Sequence, residues 1–201
     1  MRIRLARPED SAALLRIYAQ YIHSPVTFEY ALPTEPEFAA RIGRISETYP
    51  YLVCEENGGI SGYAYAHRQA EREAYQWNAE LSVYLDAAAS RGRGTRLYRM
   101  LLDILPLQGV RSAYALVTLP NAASERLHAS LGFRTMGVQS EAGFKAGAWH
   151  DVTWFEKELS PHEGAAAPVT PLPQLPVQAV AAALETARAQ LAAGDFLRKA
   201  P

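Results

Sequence analysis

The chain begins with alternation. Arg2, Ile3, Arg4, Leu5 and Ala6 read as a short strand over residues 2–6. Pro8 suits a first helical turn, and Glu9 and Asp10 favour its positive end. Leu14, Ile17, Tyr18, Tyr21 and Ile22 then recur at helical spacing and predict one buried face, which Pro25 ends. A second helix is expected over about 35–48. Strands are expected at 51–55 and 60–66, joined by a turn in which Gly58 and Gly59 allow positive φ. Residues 79–85 look like a central strand. A loop with Gly92 and Gly94 follows, then a helix with Leu97, Leu101, Ile104 and Leu105 on one face, then a strand at 113–118. That β-loop-α-β order implies a parallel pair joined by a right-handed crossover. A short helix over about 122–131, closed by Gly132, and strands near 134–140 and 150–158 complete a mixed α/β (α+β) domain.

The texture changes after Leu159, where five prolines (161, 168, 171, 173, 176) fall within sixteen residues. An extended, semi-rigid linker is expected there. From Val177 to Ala193 the chain is Ala-rich, with Val180, Leu184, Ala187 and Leu191 on one face and Gly194 as a stop. The expected organisation is a domain over 1–159, a linker over 160–176 and a helical extension over 177–201.

Composition narrows the function classes. At 201 residues the chain can bury a full core. Lys plus Arg number 20 against 21 Asp plus Glu, a net charge of -1, which disfavours a broad nucleic-acid surface. The single cysteine, Cys54, excludes an internal disulfide framework and a multi-cysteine zinc site. No signal-peptide pattern and no apolar run long enough for a membrane span stand out, so a cytoplasmic protein is expected. No second histidine stands at ligand spacing from His128 or His150, and no metal is expected.

Four features carry candidate chemistry. A Gly-rich loop between strand and helix exposes backbone N–H groups that bind phosphate, and Gly92 and Gly94 with Arg91 and Arg93 fit that use. The same pair also fits a plain tight turn. Glu80 is a carboxylate in an otherwise apolar strand, which is costly unless it is paired or used. A buried carboxylate suits a general base, whereas an exposed or ion-paired one is structural. His128 lies on the short helix that Asn121 could cap, and a lone helical histidine is either a packing residue or a catalytic one. Finally, His67, Arg68, Arg72, Tyr75 and Trp77 could line a pocket for a small anionic substrate or pack as a surface loop.

Taken in order, several segments resemble the GNAT N-acetyltransferase superfamily. The resemblance is closest to its phosphinothricin and methionine sulfoximine N-acetyltransferases. The segments are Val26-Thr27-Phe28-Glu29, Gly62-Tyr63-Ala64-Tyr65-Ala66, Ala74-Tyr75-x-Trp77-x-x-Glu80, Ser82-Val83-Tyr84 and Gly92-x-Gly94. Leu119-Pro120-Asn121, Leu127-His128, Leu131-Gly132-Phe133 and Gly143-Phe144-Lys145-x-Gly147-x-Trp149-x-Asp151-Val152 continue the set. The resemblance covers residues 1–159. It implies a central mixed, twisted sheet flanked by helices and splayed at an acetyl-CoA site. It also implies acetyl transfer from acetyl-CoA to the amino group of a small amino acid or analogue, without a metal.

By the same resemblance, Glu80 is the general base and His128 stands near the thioester. Val83, Tyr84 and Leu85 meet pantetheine, Arg91, Gly92, Arg93, Gly94 and Thr95 hold the pyrophosphate, and Asn121 and Ser124 touch the cofactor. Phe28, Glu29, Arg72 and Tyr75 meet the amine substrate, and a homodimer is implied. Ala89 and Ala70 depart from the family pattern, at a cofactor-loop position and a substrate-loop position that usually carry polar or basic residues. A polyamine or peptide acceptor, or a non-catalytic acyl-CoA-binding module, are the alternative readings.

Overall fold

The computed structural model describes residues 1–56, 58–89 and 92–192, without the side chains of 186–192. Arg91 and Gly194 lie outside the described residues. Seven strands form one sheet in the order β1-β2-β3-β4-β5-β7-β6. They are β1 (Arg2–Leu5), β2 (Tyr51–Glu56), β3 (Gly59–Arg68), β4 (Asn78–Leu85), β5 (Ser112–Thr118), β6 (Arg134–Lys145) and β7 (Ala148–Glu158). Only β4 and β5 pair in parallel. The helices are α1 (Ser11–Ala19), α2 (Glu35–Ser46), α3 (Arg93–Ile104), α4 (Ala122–Ser130) and α5 (Val177–Ala192).

The side-chain period of two sorts each strand onto two cores. Tyr51, Val53 and Tyr63 pack under α1 and α2 with Leu14, Ile17, Phe38 and Ile42. Leu52, Cys54, Ala64, Ala66 and Leu81 face α3 with Leu97, Leu101 and Ile104. Local signals agree with these elements. Thr34 and Glu37 form a reciprocal capping box at the start of α2. Gly92, at φ 87°, lets the chain enter α3 from the left-handed region.

β6 and β7 run further than the expected 134–140 and 150–158. Ala146 and Gly147 both take positive φ, 52° and 81°, so a two-residue turn extends the hairpin to Lys145 and Ala148. The chain after Leu159 lies across the domain. Trp77 Nε1–H donates to the Ala167 carbonyl at 2.8 Å, and Gln108 Nε2 donates to the Thr48 and Thr170 carbonyls at 2.6 and 3.0 Å. Leu172, Leu175 and Val180 are buried in the α3-side core, with Leu184 packed against it. Among the described residues no helix is long and apolar enough to cross a membrane.

Candidate active site

The sheet comes apart in its middle. β4 and β5 pair only at Asn78↔Ser112, Ala79↔Ala113 and Glu80↔Tyr114. Beyond Glu80, β4 continues beside β3 to Leu85, whereas β5 continues beside β7 to Thr118. The wedge between them opens into a cleft of about 400 Å³, walled by β4, β5, α4 and the start of α3.

Hydrogen-bond alternation decides what β4 offers to this cleft. Asp86 N–H bonds the Ser61 carbonyl and Gln69 N–H bonds the Asn78 carbonyl, so the even-numbered residues of β4 face β3. The odd-numbered ones turn their backbone groups to the wedge. The Leu81 carbonyl accepts the Tyr98 hydroxyl at 3.0 Å. Leu85 is also engaged, since the Tyr21 hydroxyl donates to its carbonyl at 2.6 Å and accepts its N–H at 3.2 Å. Val83 lies between them, beyond the last β4–β5 pair. Its N–H and C=O point into open space among the described residues. Tyr84 points to the other face, its ring against Tyr18, Tyr21 and Tyr63.

The start of α3 brings Gly92, Gly94 and Thr95 to the cleft. A Cβ on Gly94 would stand 3.4 Å from Leu85 and 3.8 Å from Leu127, on the cleft wall. A helix start presents orphan N–H groups and the positive end of its dipole, an arrangement that suits an anion. Arg93 differs from its expected role. Its side chain is 4% exposed and ion-paired with Glu56 at the end of β2, not on the cleft wall. The pairing has a simple cause, because a guanidinium turned into the core needs a carboxylate. Asn121 Oδ1 accepts the Ser124 N–H at 3.1 Å and caps α4, and both residues line the cleft.

His128 lines the cleft and is almost fully buried. Its ring stacks on Phe155 and meets Tyr98 and Phe133 edge-on. Burial lowers its pKa below the ordinary histidine value, opposed by the bond to the Ser124 backbone. Nδ1 is 2.8 Å from the Ser124 carbonyl, which can only accept, so Nδ1 carries the proton. Nε2 lies 3.1 Å from the Tyr98 hydroxyl, whose single proton it shares with the Leu81 carbonyl.

Glu80 is not on the cleft wall. It faces the α1/α2 side of the sheet, with His67 Nε2 3.7 Å from its Oε1. Glu80 and His128 thus stand on opposite faces of the sheet.

The loop between α1 and α2 also covers the Glu80 face. Glu29 bonds Arg41 at 2.7 Å and the Tyr18 hydroxyl at 2.9 Å. Lys145, 5% exposed, donates to the Thr27 and Glu29 carbonyls and pins this loop to the β6–β7 hairpin. Phe28 lies against Gly143, where an added Cβ would stand 2.5–2.8 Å from three of its ring carbons. Arg72 and Tyr75 sit exposed on the loop that leads into β4.

Gly143→Ala therefore displaces the Phe28 ring. If Phe28 borders the amine, KM for the amine rises about tenfold, equivalent to about 1.4 kcal/mol. KM for the thioester stays constant. Steady-state kinetics with each substrate varied in turn checks this, and a uniform effect on both would remove Phe28 from the acceptor side.

Two tyrosines join the site that sequence patterning did not single out. Tyr21 occurs in the apolar stripe of the first helix and Tyr98 beside Leu97, so both read as packing residues. Their hydroxyls are the only hint of a second role.

Comparisons with known proteins bear on the fold. A family model described as an acetyltransferase (GNAT) domain matches residues 3–154. A phosphinothricin N-acetyltransferase of Streptomyces viridochromogenes is 37% identical over 179 residues, 88% of this chain and 94% of that protein. An L-methionine sulfoximine/L-methionine sulfone acetyltransferase of Salmonella typhimurium is 34% identical, covering 81% of this chain and 96% of that one. The crystal structure of a GNAT superfamily phosphinothricin acetyltransferase from Sinorhizobium meliloti, in complex with acetyl-CoA, superposes with a TM-score of 0.79. It is 31% identical and covers 86% of this chain and 96% of that one.

Proposed function

The chain belongs to the GNAT acetyltransferase family, and from that premise we propose that it acetylates the α-amino group of a small amino acid or analogue of the phosphinothricin, methionine sulfoximine or methionine sulfone type. The observation that carries the reading is the splayed pair β4/β5, with an unpaired Val83 backbone and a helix N-terminus on one side of the gap and Glu80 on the other.

The residues present fit acetyl-CoA. The N–H groups at Gly92, Arg93, Gly94 and Thr95 suit a pyrophosphate, and the close approach at Gly94 leaves the wall open. Val83 offers its carbonyl to a pantetheine amide and keeps its N–H for the acetyl group. Leu85 can offer its own backbone groups only when Tyr21 yields its place. Acetyl-CoA, when bound, supplies the acetyl group as a thioester.

The chemistry asked of the chain is modest. An ammonium has no lone pair, so Glu80 takes one proton, directly or through one water, before the nitrogen can attack. The Val83 N–H serves the charge that develops on the acetyl oxygen. His128 stands beside the Tyr98 hydroxyl on the cleft wall, near where the thioester would lie, and stabilises the departing thiolate. The proton that nitrogen still carries in excess after attack goes to the departing thiolate, directly or through water, and so balances the transfer. Phe28, Glu29, Arg72 and Tyr75 frame the acceptor side. A homodimer in the cytosol completes the reading, and the outer strand β6, with Met136 and Val138 each 52% exposed, is the free edge such a dimer would use.

The test is thiol release from acetyl-CoA against a panel of phosphinothricin, methionine sulfoximine, methionine sulfone, protein amino acids, polyamines and peptides. Turnover on the first three at low KM is expected. Turnover confined to polyamines or peptides would reject the acceptor class and keep the acetyl transfer.

A further inference from the structure

A row of polar side chains crosses the α1/α2 face of the sheet at the level where β4 and β5 part. Glu80 is flanked by His67 on β3 and Tyr114 on β5, and Tyr114 in turn by Glu156 on β7. Direct cross-strand partners share a face and bring their Cβ atoms to within about 5.5 Å. His67 Nδ1 lies 2.9 Å from the Arg68 carbonyl. A carbonyl only accepts, so Nδ1 carries a proton and the neutral ring turns its Nε2 lone pair toward Glu80. Nε2 is 3.7 Å from Glu80 Oε1, a separation closed by a small rotation. The His67 side chain is 36% exposed and Glu80 22%, so the pair leads from the gap to solvent.

We propose that His67 is a positioning residue for Glu80 and the exit for the proton that Glu80 removes from the amine. The proposal rests on the reading of Glu80 as the general base. Glu80 takes one proton from the ammonium and becomes a carboxylic acid. Its O–H bond breaks as the proton crosses to His67 Nε2, giving a carboxylate and an imidazolium. The imidazolium gives the Nε2 proton to water or buffer and returns to the neutral ring. One proton leaves for each acetyl group transferred, and no electrons change hands.

The surroundings suit a group that both receives and releases a proton. Burial lowers the His67 pKa, but the hydrogen bond and charge of Glu80, the bond to the Arg68 carbonyl and the charge of Glu71 outweigh it, and the net shift is upward. Tyr65 faces the ring from the same strand at 5.9 Å between centroids, and Tyr114 stands beyond Glu80 on β5. From the opposite face, Tyr98 on α3 also feels the charge of Glu80.

The experiment compares wild type, His67→Gln and Glu80→Gln. In His67→Gln at pH 8 and low buffer, kcat falls about tenfold, a part of what general acid–base groups contribute. Imidazole buffer restores it in proportion to concentration, and KM for acetyl-CoA is unchanged. The acid limb of the kcat profile also moves, because a protonated Nε2 cannot receive. Wild-type kcat in His67→Gln, or a loss that imidazole does not restore, overturns the proposal. Full activity in Glu80→Gln would instead remove the base reading, and the proposal with it.

A second measurement needs no turnover. The chain has five histidines, and the His67→Gln spectrum assigns the His67 ring by NMR. Its titration midpoint falls in Glu80→Gln if the two groups are coupled, and an unmoved midpoint overturns the pairing.

Discussion

Glu80→Gln lowers kcat by about 10²- to 10⁴-fold, the range that a positioned general base contributes. The substitution keeps the size and planarity of the side chain and removes its capacity to take a proton. KM for acetyl-CoA is expected to stay within about twofold, since a factor of two is only about 0.4 kcal/mol and Glu80 lies off the cleft wall. Raising the pH, which increases the fraction of amine already free, recovers part of the loss in the variant. Steady-state kinetics across pH with the best amine of the panel measures all three effects. A variant with near-wild-type kcat at neutral pH would assign the base to another group. A parallel rise in KM for acetyl-CoA would instead point to a disturbed strand.

Ending the chain at Leu159 lowers stability by about 3 kcal/mol. Leu172, Leu175 and Val180 are buried against the α3-side core, and burying a side chain of this size stabilises by about 1.5–3 kcal/mol. The ordering entropy of the strap offsets a large part of that sum. Removal also strips Trp77 Nε1 of its acceptor and Gln108 Nε2 of one of its two. For a chain of this size, 3 kcal/mol corresponds to a fall in Tm of about 6–12 °C. Thermal denaturation of the shortened and full chains decides it. An unchanged Tm would mean that residues 160–192 rest on the domain without supporting it.

Much of the architecture was legible because it is local. The period-2 and period-3.6 runs, the Gly-flanked turns and the β-loop-α-β order led to the parallel pair β4/β5 and to the loop before α3. The splay itself was accessible only through the resemblance. It depends on β5 keeping its pairing with β7 while losing β4 after Tyr114, and strand patterning carries no partner information. The turn at Ala146 and Gly147 has no clear sequence signal, because alanine seldom adopts positive φ, so the strands expected near 134–140 and 150–158 stop short of it.

In the site, spacing placed Glu80 on the central strand and Gly92 and Gly94 at a helix start. Spacing could not show that Arg93 turns inward to Glu56, because that pairing joins residues far apart in the chain. Nor could it show that His67 and Glu80 are cross-strand neighbours, which requires the register of β3 against β4. Composition marks the proline-rich stretch as irregular chain but says nothing of the surface on which it lies down, nor of the turn at Leu172–Gln174.

The gap in the sheet has an evolutionary consequence. In the proposed reading donor and acceptor reach it from opposite sides, and the side chains that would meet each belong to different loops. The Gly92–Thr95 turn and α4 would serve the donor, whereas the α1–α2 loop, the β6–β7 hairpin and the loop before β4 would enclose the acceptor. Substitutions on the acceptor side can therefore exchange one amine for another while the thioester site stays constant. A scaffold divided in this way can diversify its acceptors by drift in surface loops, with the costly half of the reaction inherited unchanged.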